Sequence, residues 1–224
     1  MNHEQWTAVD RYFAEALLAP DSALDAALDR SAEAGLPPIS VSPLQGRLLH
    51  ILARAAGARN ILELGTLGGY STIWLARALP SGGHLVTLEI DPKHAEVARR
   101  NIEDAGCSRV VELRTGPALD ILPRLAVEGR GPFDFIFIDA DKTGIPDYFG
   151  WSLRLARSGS LIVVDNVVRR GAVIDADSED PGVRAVRRFN ELVAHEPRVM
   201  ATAIQTVGTK GWDGFAIVLV TSDR

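Results

Sequence analysis

Two rhythms of apolar and polar positions divide this chain. Residues 4–18 and 22–34 carry apolar side chains at helical spacing, with enough Ala and Leu to support helices. The Gly and Pro of GLPPIS (35–40) then mark a loop. Ser42-Pro43 supplies an N-cap and a first-turn proline, and Leu44, Leu48, Leu49, Leu52 and Ala56 run down one face of the helix they open. From residue 59 the rhythm changes. Short, almost continuously apolar runs alternate with helical stretches: RNILELG, then GYSTIWLARAL; HLVTLEI, then PKHAEVARRNIEDAG; RVVELRT, then ALDILPRLA; FDFIFID, then YFGWSLRLA; and finally SLIVVDN. Strands apolar on both faces, alternating with helices, predict a parallel sheet covered on both sides. The tail predicts a helix over 181–195 and two strands, VMATAIQTV and GFAIVLV, parted by a GTKGWD linker and forming an antiparallel hairpin that closes the sheet.

Length changes this picture little. A chain of 224 residues fits one α/β domain, read as an N-terminal helical extension over 1–40 and a core over 41–224. The 46% apolar content is enough for a sizeable core. A net charge of −5 gives no positive field for a nucleic-acid backbone, so nucleic acid is not an expected partner. No apolar run reaches membrane-spanning length, and MNHEQWTAVDRYF lacks the charged-then-apolar pattern of a secretory signal. Cys107 is the single cysteine, which excludes an intrachain disulfide and suits a reducing, cytoplasmic setting. Arginine outnumbers lysine so heavily that Lys93, Lys142 and Lys210 are the full set of lysines.

Ligands of an open parallel sheet sit beyond the carboxyl ends of its strands. After the first strand stands Glu63-Leu64-Gly65-Thr66-Leu67-Gly68-Gly69-Tyr70-Ser71, whose glycines permit a tight turn close to a ligand. After the second stands Glu89, whose carboxylate suits a ribose diol. A dinucleotide oxidoreductase is the rival reading. The Gly65-x-x-Gly68-Gly69 spacing is not its G-x-G-x-x-G pattern, and Glu63 would repel a pyrophosphate. Acidic neighbours suit instead a ligand carrying a sulfonium and an ammonium.

The fourth strand ends Asp139-Ala140-Asp141-Lys142 and the fifth ends Asp165-Asn166. In one parallel sheet both ends open onto one crevice. Asp139, Asp165 and Asn166 then offer two carboxylates and an amide oxygen, a hard-oxygen set for Mg²⁺ or a similar ion. Either pair alone would read as a helix cap; the two together favour a metal. Lys142 is the candidate base. A nearby cation would favour its neutral form, Asp141 would oppose it, and an arginine could not take the role because it does not deprotonate.

ILELGTLGGYSTIWLA, LEIDPKHAEVAR, GPALDILPRL, FDFIFIDADK and GSLIVVDNVVRRG together resemble the cation-dependent, S-adenosylmethionine (SAM)-dependent O-methyltransferases of the catechol and caffeoyl-CoA type, over roughly residues 39–220. The resemblance implies a Rossmann-like class I methyltransferase fold, with a seven-stranded, mostly parallel sheet, helices on both faces and an antiparallel last strand. It implies that Val41, Glu63, Gly65, Thr66, Ser71, Glu89, Ala118 and Asp139 surround SAM, with Glu63 facing the methionyl ammonium, Glu89 the ribose and Ala118 the adenine. Asp139, Asp165 and Asn166 match metal ligands, with Mg²⁺ expected and Mn²⁺ or Ca²⁺ as alternatives. Lys142 matches the general base. The implied reaction methylates a hydroxyl of a small catechol-like acceptor, and the implied assembly is a homodimer. A metal-independent methyltransferase and a non-catalytic SAM-binding protein remain as alternatives. Ile145 stands where plant-type members carry an aromatic residue, Arg169-Arg170 occupies a region that shapes the acceptor pocket in relatives, and GTKGWDG looks longer than usual.

Overall fold

A computed structural model describes residues 3–223, so Met1, Asn2 and Arg224 of the expected 1–224 domain lie outside the described residues. Three helices come first: α1 (His3–Leu17), α2 (Ser22–Glu33) and α3 (Pro43–Ala55). The alternating core follows as β1 (Asn60–Leu64), α4 (Tyr70–Ala76), β2 (His84–Glu89), α5 (Pro92–Asp104), β3 (Val111–Thr115), α6 (Ala118–Val127), β4 (Phe135–Ile138), α7 (Ile145–Leu155) and β5 (Leu161–Asp165). A 3-10 segment broken by a left-handed kink (Arg169–Ile174), α8 (Pro181–His195), β6 (Val199–Gly208) and β7 (Gly211–Val220) follow.

The seven strands form one sheet in the order β3-β2-β1-β4-β5-β7-β6. β1 to β5 pair in parallel, while β7 runs antiparallel to both β5 and β6. Strand alternation splits the apolar runs between two cores. Ile61, Phe135, Phe137 and Val163 face one side, against Leu49 of α3, Ile73 of α4 and Ile102 of α5. Leu62, Ile136, Ile138 and Val164 face the other, against Leu122 of α6, Phe149 of α7 and Phe189 of α8. This two-sided burial is why these segments read as continuous apolar runs. The order also reverses between β1 and β4, where the chain first winds outward through β2 and β3 and then returns. A crevice opens at such a switch point.

The first 40 residues divide. Leu24 and Ala27 of α2 are buried in the core, and Arg30 of α2 reaches Asn101 and Asp104 of α5, each at 2.5 Å. No described residue of α1 is buried; the helix rests on β6, and Asp10 accepts a hydrogen bond from the Thr209 amide at 2.8 Å.

The structure corrects the expected elements in three places. α4 stops at Ala76, and the chain turns through Ala78 and Leu79 ahead of Pro80, which disfavours helix in the residue before it. The 3-10 helix at 169–174 was not signalled by any apolar period. GTKGWD is not a linker: Gly208 pairs with Gly211 and Val207 with Trp212, leaving Thr209-Lys210 as a two-residue hairpin turn. Gly and Asp lower strand propensity in that stretch, and ladder pairing overrides it.

Candidate functional site

A cavity of about 1610 Å³ opens at the carboxyl ends of the parallel strands. Its wall contains Val41, Gly65, Thr66, Ser71, Glu89, Ala118, Asp139, Lys142, Asp165 and Asn166. Glu63 is not part of that wall.

The glycine loop is built by close approach. Gly65 has φ 95°, and a Cβ there would collide with the backbone carbonyl of Asp139, so the ends of β1 and β4 meet only because residue 65 has no side chain. The loop is then held by Glu89. Its Oε2 accepts from the amides of Thr66 at 3.2 Å and Leu67 at 2.7 Å, and its Oε1 accepts from Asp91 at 2.9 Å. Leu67 sits at φ 49°, a left-handed conformation uncommon outside glycine, and Glu89 pins it there. The residue expected to meet a ribose therefore also braces the loop.

Glu63 lies beneath the loop with no solvent exposure. Ser71 Oγ donates to its Oε1 at 2.6 Å, and Thr72 Oγ1 and Thr87 Oγ1 donate to its Oε2 at 2.5 and 2.7 Å. Burial raises the Glu63 carboxyl to about 7 against the opposing pull of those hydroxyls. Glu63 therefore lies one layer behind the cavity wall, reached from it through the hydroxyl of Ser71. Ser71 itself lines the wall.

The other end of the cavity is acidic. Lys142 Nζ and Asp139 Oδ1 are 2.7 Å apart, so the candidate base is ion-paired with a candidate metal ligand. Asp165 is buried, and its Oδ1 accepts from the Asn166 amide at 2.6 Å. Burial raises Asp139 despite Lys142, and burial together with the charge of Asp139 raises Asp165 well above the usual carboxylate range. Asn166 is left-handed at φ 62°, with Nδ2 3.5 Å from Asp213 Oδ2. Among the described residues no group of three His, Cys, Asp or Glu side chains is placed to hold a metal ion. The candidate set is two carboxylates and an amide, an all-oxygen donor set that fits a hard cation with water or ligand oxygens completing the shell.

Sequence reasoning missed several wall residues. Asp213 Oδ1 accepts from the amides of Val168 at 3.0 Å, Arg169 at 3.1 Å and Gly214 at 3.0 Å, and so fixes the turn that follows Asn166. Lys210, at the hairpin tip, reaches the wall and donates to the Pro38 carbonyl at 2.8 Å. Trp6 and Trp212 also face the cavity. The scarcity of lysine was a usable signal for Lys210. Asp213 and Trp212 fall within GTKGWD, whose Gly and Asp content masks the strand they belong to. Tyr148 lies on the wall and donates its hydroxyl to Asp141; that bond, with those from Thr143 and the Gly144 amide, holds Asp141 below its usual range although burial pulls the other way.

A sheet of this order, with a glycine loop and an acidic braced strand end at its switch point, defines a class I methyltransferase. The O-methyltransferase family model matches residues 20–219, and the chain belongs to that family. A catechol O-methyltransferase of Niastella koreensis is 55% identical over 220 residues, covering 98% of this chain and 100% of the relative. A catechol O-methyltransferase of Mycobacterium tuberculosis is 54% identical, covering 95% and 94%. Among solved structures, the O-methyltransferase of Bacillus cereus in complex with SAH superposes with a TM-score of 0.97 at 57% identity, covering 98% of this chain and 100% of that one.

Proposed function

We propose that this O-methyltransferase moves the methyl group of SAM to one hydroxyl of a small phenol carrying two adjacent hydroxyls, with a divalent cation at the acidic end of the cavity. The observation that carries the reading is the shared wall. Gly65, Thr66, Ser71, Glu89 and Ala118 line one part, and Asp139, Lys142, Asp165 and Asn166 line the other. Donor and acceptor can therefore be held side by side, and positioning two bound reactants supplies much of the acceleration. The relatives named catechol O-methyltransferase support the acceptor class.

Each residue has a role in this reading. The Thr66–Ser71 loop carries the methionyl part of the donor. Glu89 accepts from the ribose hydroxyls while bracing the loop, and Ala118 packs beside the adenine. Asp139, Asp165 and the Asn166 amide oxygen would hold the cation, Mg²⁺ first, with Mn²⁺ or Ca²⁺ able to satisfy the same oxygens. A cation held there lowers the pKa of a hydroxyl beside it. Lys142 takes the proton from that hydroxyl, and the phenolate oxygen attacks the sulfonium methyl while SAH leaves.

A homodimer belongs to the same proposal. β6 is an edge strand with Met200 and Ile204 exposed, and α1 beside it exposes Val9, Tyr12 and Phe13. The expected setting is cytoplasmic; Cys107 is free and buried, and no described helix is long and apolar enough to cross a membrane.

An acceptor screen with methyl-labelled SAM tests the reading, run with Mg²⁺ and again after chelation with EDTA. Label transfer to catechols that EDTA abolishes and Mg²⁺ or Mn²⁺ restores is the expected result. Full transfer in EDTA, with metal content measured as negligible, would contradict the cation.

A further inference from the structure

We infer that Arg169 anchors an anionic group of the acceptor, and that this group is a carboxylate carried by the catechol itself. The inference rests on the proposed methyl transfer and adds the acceptor's charge.

Arg169 follows the candidate ligand Asn166 by three residues and lies on the same cavity wall. Its backbone is costly to hold. Arg169 and Arg170 both sit at φ 55°, and Gly171 follows at φ 87°. Left-handed backbone in consecutive arginines persists only where surroundings impose it, and such strain clusters at ligand sites. Here Asp213 captures the Arg169 amide from below, and the Trp212 ring lies so close to Gly171 that a Cβ would meet it at 2.7 Å.

The side chain so delivered has no carboxylate within ion-pair distance among the described residues. The Arg169 Nε is buried without a hydrogen-bond partner, and neither Arg169 nor Arg170 makes an ion pair among the described residues. Asp180, which lies near the Arg169 guanidinium around Gly182, is committed to capping α8. Its Oδ1 accepts from the Gly182 amide at 2.7 Å and the Val183 amide at 3.1 Å. The two lysines on the wall are already engaged, Lys142 by Asp139 and Lys210 by the Pro38 carbonyl. A buried guanidinium donor left unmade is unfavourable, and a planar fork of donors matches a carboxylate in two bonds at once. A Cβ at Gly182 would lie 3.3 Å from the Lys142 Cβ and 3.5 Å from Arg169 Nη2, so the guanidinium sits beside the candidate base, where the acceptor ring is proposed to bind. A ring carboxylate fits that position. A phosphate on a long ester would find Arg170, which is exposed, before Arg169.

Steady-state methylation of a dihydroxybenzoate against the matching dihydroxybenzamide tests this, at low and high salt, in wild type and in Arg169→Gln, Arg169→Lys and Arg170→Gln. In wild type the acid should have the lower KM by roughly 10-fold or more, with similar kcat, and added salt should narrow the gap. Arg169→Gln should collapse the KM ratio of acid to amide toward one, and Arg169→Lys should restore part of it. The wild-type comparison stands whether or not a variant folds. Equal KM values for acid and amide in wild type would overturn the inference while leaving methyl transfer to catechols intact. So would an undiminished ratio in Arg169→Gln. A still lower KM for a dihydroxycinnamoyl-CoA ester, lost in Arg170→Gln and kept in Arg169→Gln, would overturn the carboxylate in favour of a phosphate. No transfer to either diol would sink the proposed function, and this inference with it.

Discussion

Lys142 and Glu63 are side chains whose chemistry depends on neighbours that the sequence does not display. Lys142 is ion-paired with Asp139 at 2.7 Å, so its place beside the acidic strand ends is a matter of geometry. Lys142→Arg keeps the charge but removes the neutral amine. If Lys142 takes the acceptor proton, kcat should fall roughly 10²–10⁴-fold, with little change in SAM affinity measured by calorimetry. A nitro-substituted catechol arrives already ionised, so the defect should shrink on it. An equal defect on both acceptors would assign Lys142 to positioning alone. Glu63 makes a separate prediction about pH. Burial raises its carboxyl from 4.5 to about 7, so between those values the folded protein holds a proton that the unfolded chain has released. Its contribution to stability is therefore complete below the lower value and is lost as pH rises through about 7. Relative to Glu63→Gln, wild type should lose up to about 3 kcal/mol between pH 5 and pH 8, read by urea unfolding of both proteins. A relative gain by wild type would mean that the three hydroxyls outweigh burial. The candidate set at this scale was largely legible, because Asp139, Lys142, Asp165, Asn166 and the loop residues all fall at strand ends. Glu63 is the exception in its surroundings, buried beneath the loop. Its sequence position beside the loop could not reveal that Ser71, Thr72 and Thr87 enclose it.

The elements were legible where one period held and illegible where it broke. β1, β2, β4 and β5 stand out because both their faces are buried, the edge strand β3 is only half-buried, and α8 matches the expected helix over 181–195. The turn at 169–174 has no period to read, since its left-handed arginines are imposed by Asp213 and Trp212 from a strand some 40 residues later. Gly65 makes the junction of β1 and β4 testable. Gly65→Ala adds a Cβ against the Asp139 carbonyl at φ 95°, and should destabilise the protein by at least about 2 kcal/mol in urea unfolding while weakening SAM binding. Unchanged SAM affinity would mean the loop does not carry the donor. The exposed β6 edge carries the assembly prediction. Met200 and Ile204 point to the same face of the strand, so Met200→Asp with Ile204→Asp should convert a dimer to a monomer by light scattering. An unaltered mass would place the interface elsewhere.

At the scale of the whole molecule, the sheet order sets the chemistry. Winding outward through β3 and back through β4 and β5 leaves the switch point between a glycine loop on one side and an acidic pair on the other. The hairpin of β6 and β7 then brings Lys210, Trp212 and Asp213 over the acidic end, which closes the cavity with residues remote in sequence. The central claim is that adjacent hydroxyls are what this cavity positions beside a methyl donor. Competition in one vessel measures it most directly: methyl-labelled SAM, Mg²⁺, a catechol and the monophenol of the same skeleton, with labelled products counted by mass. The account predicts label on the catechol in large excess, because one oxygen of the monophenol leaves the second position to water. Equal labelling of the two would contradict it.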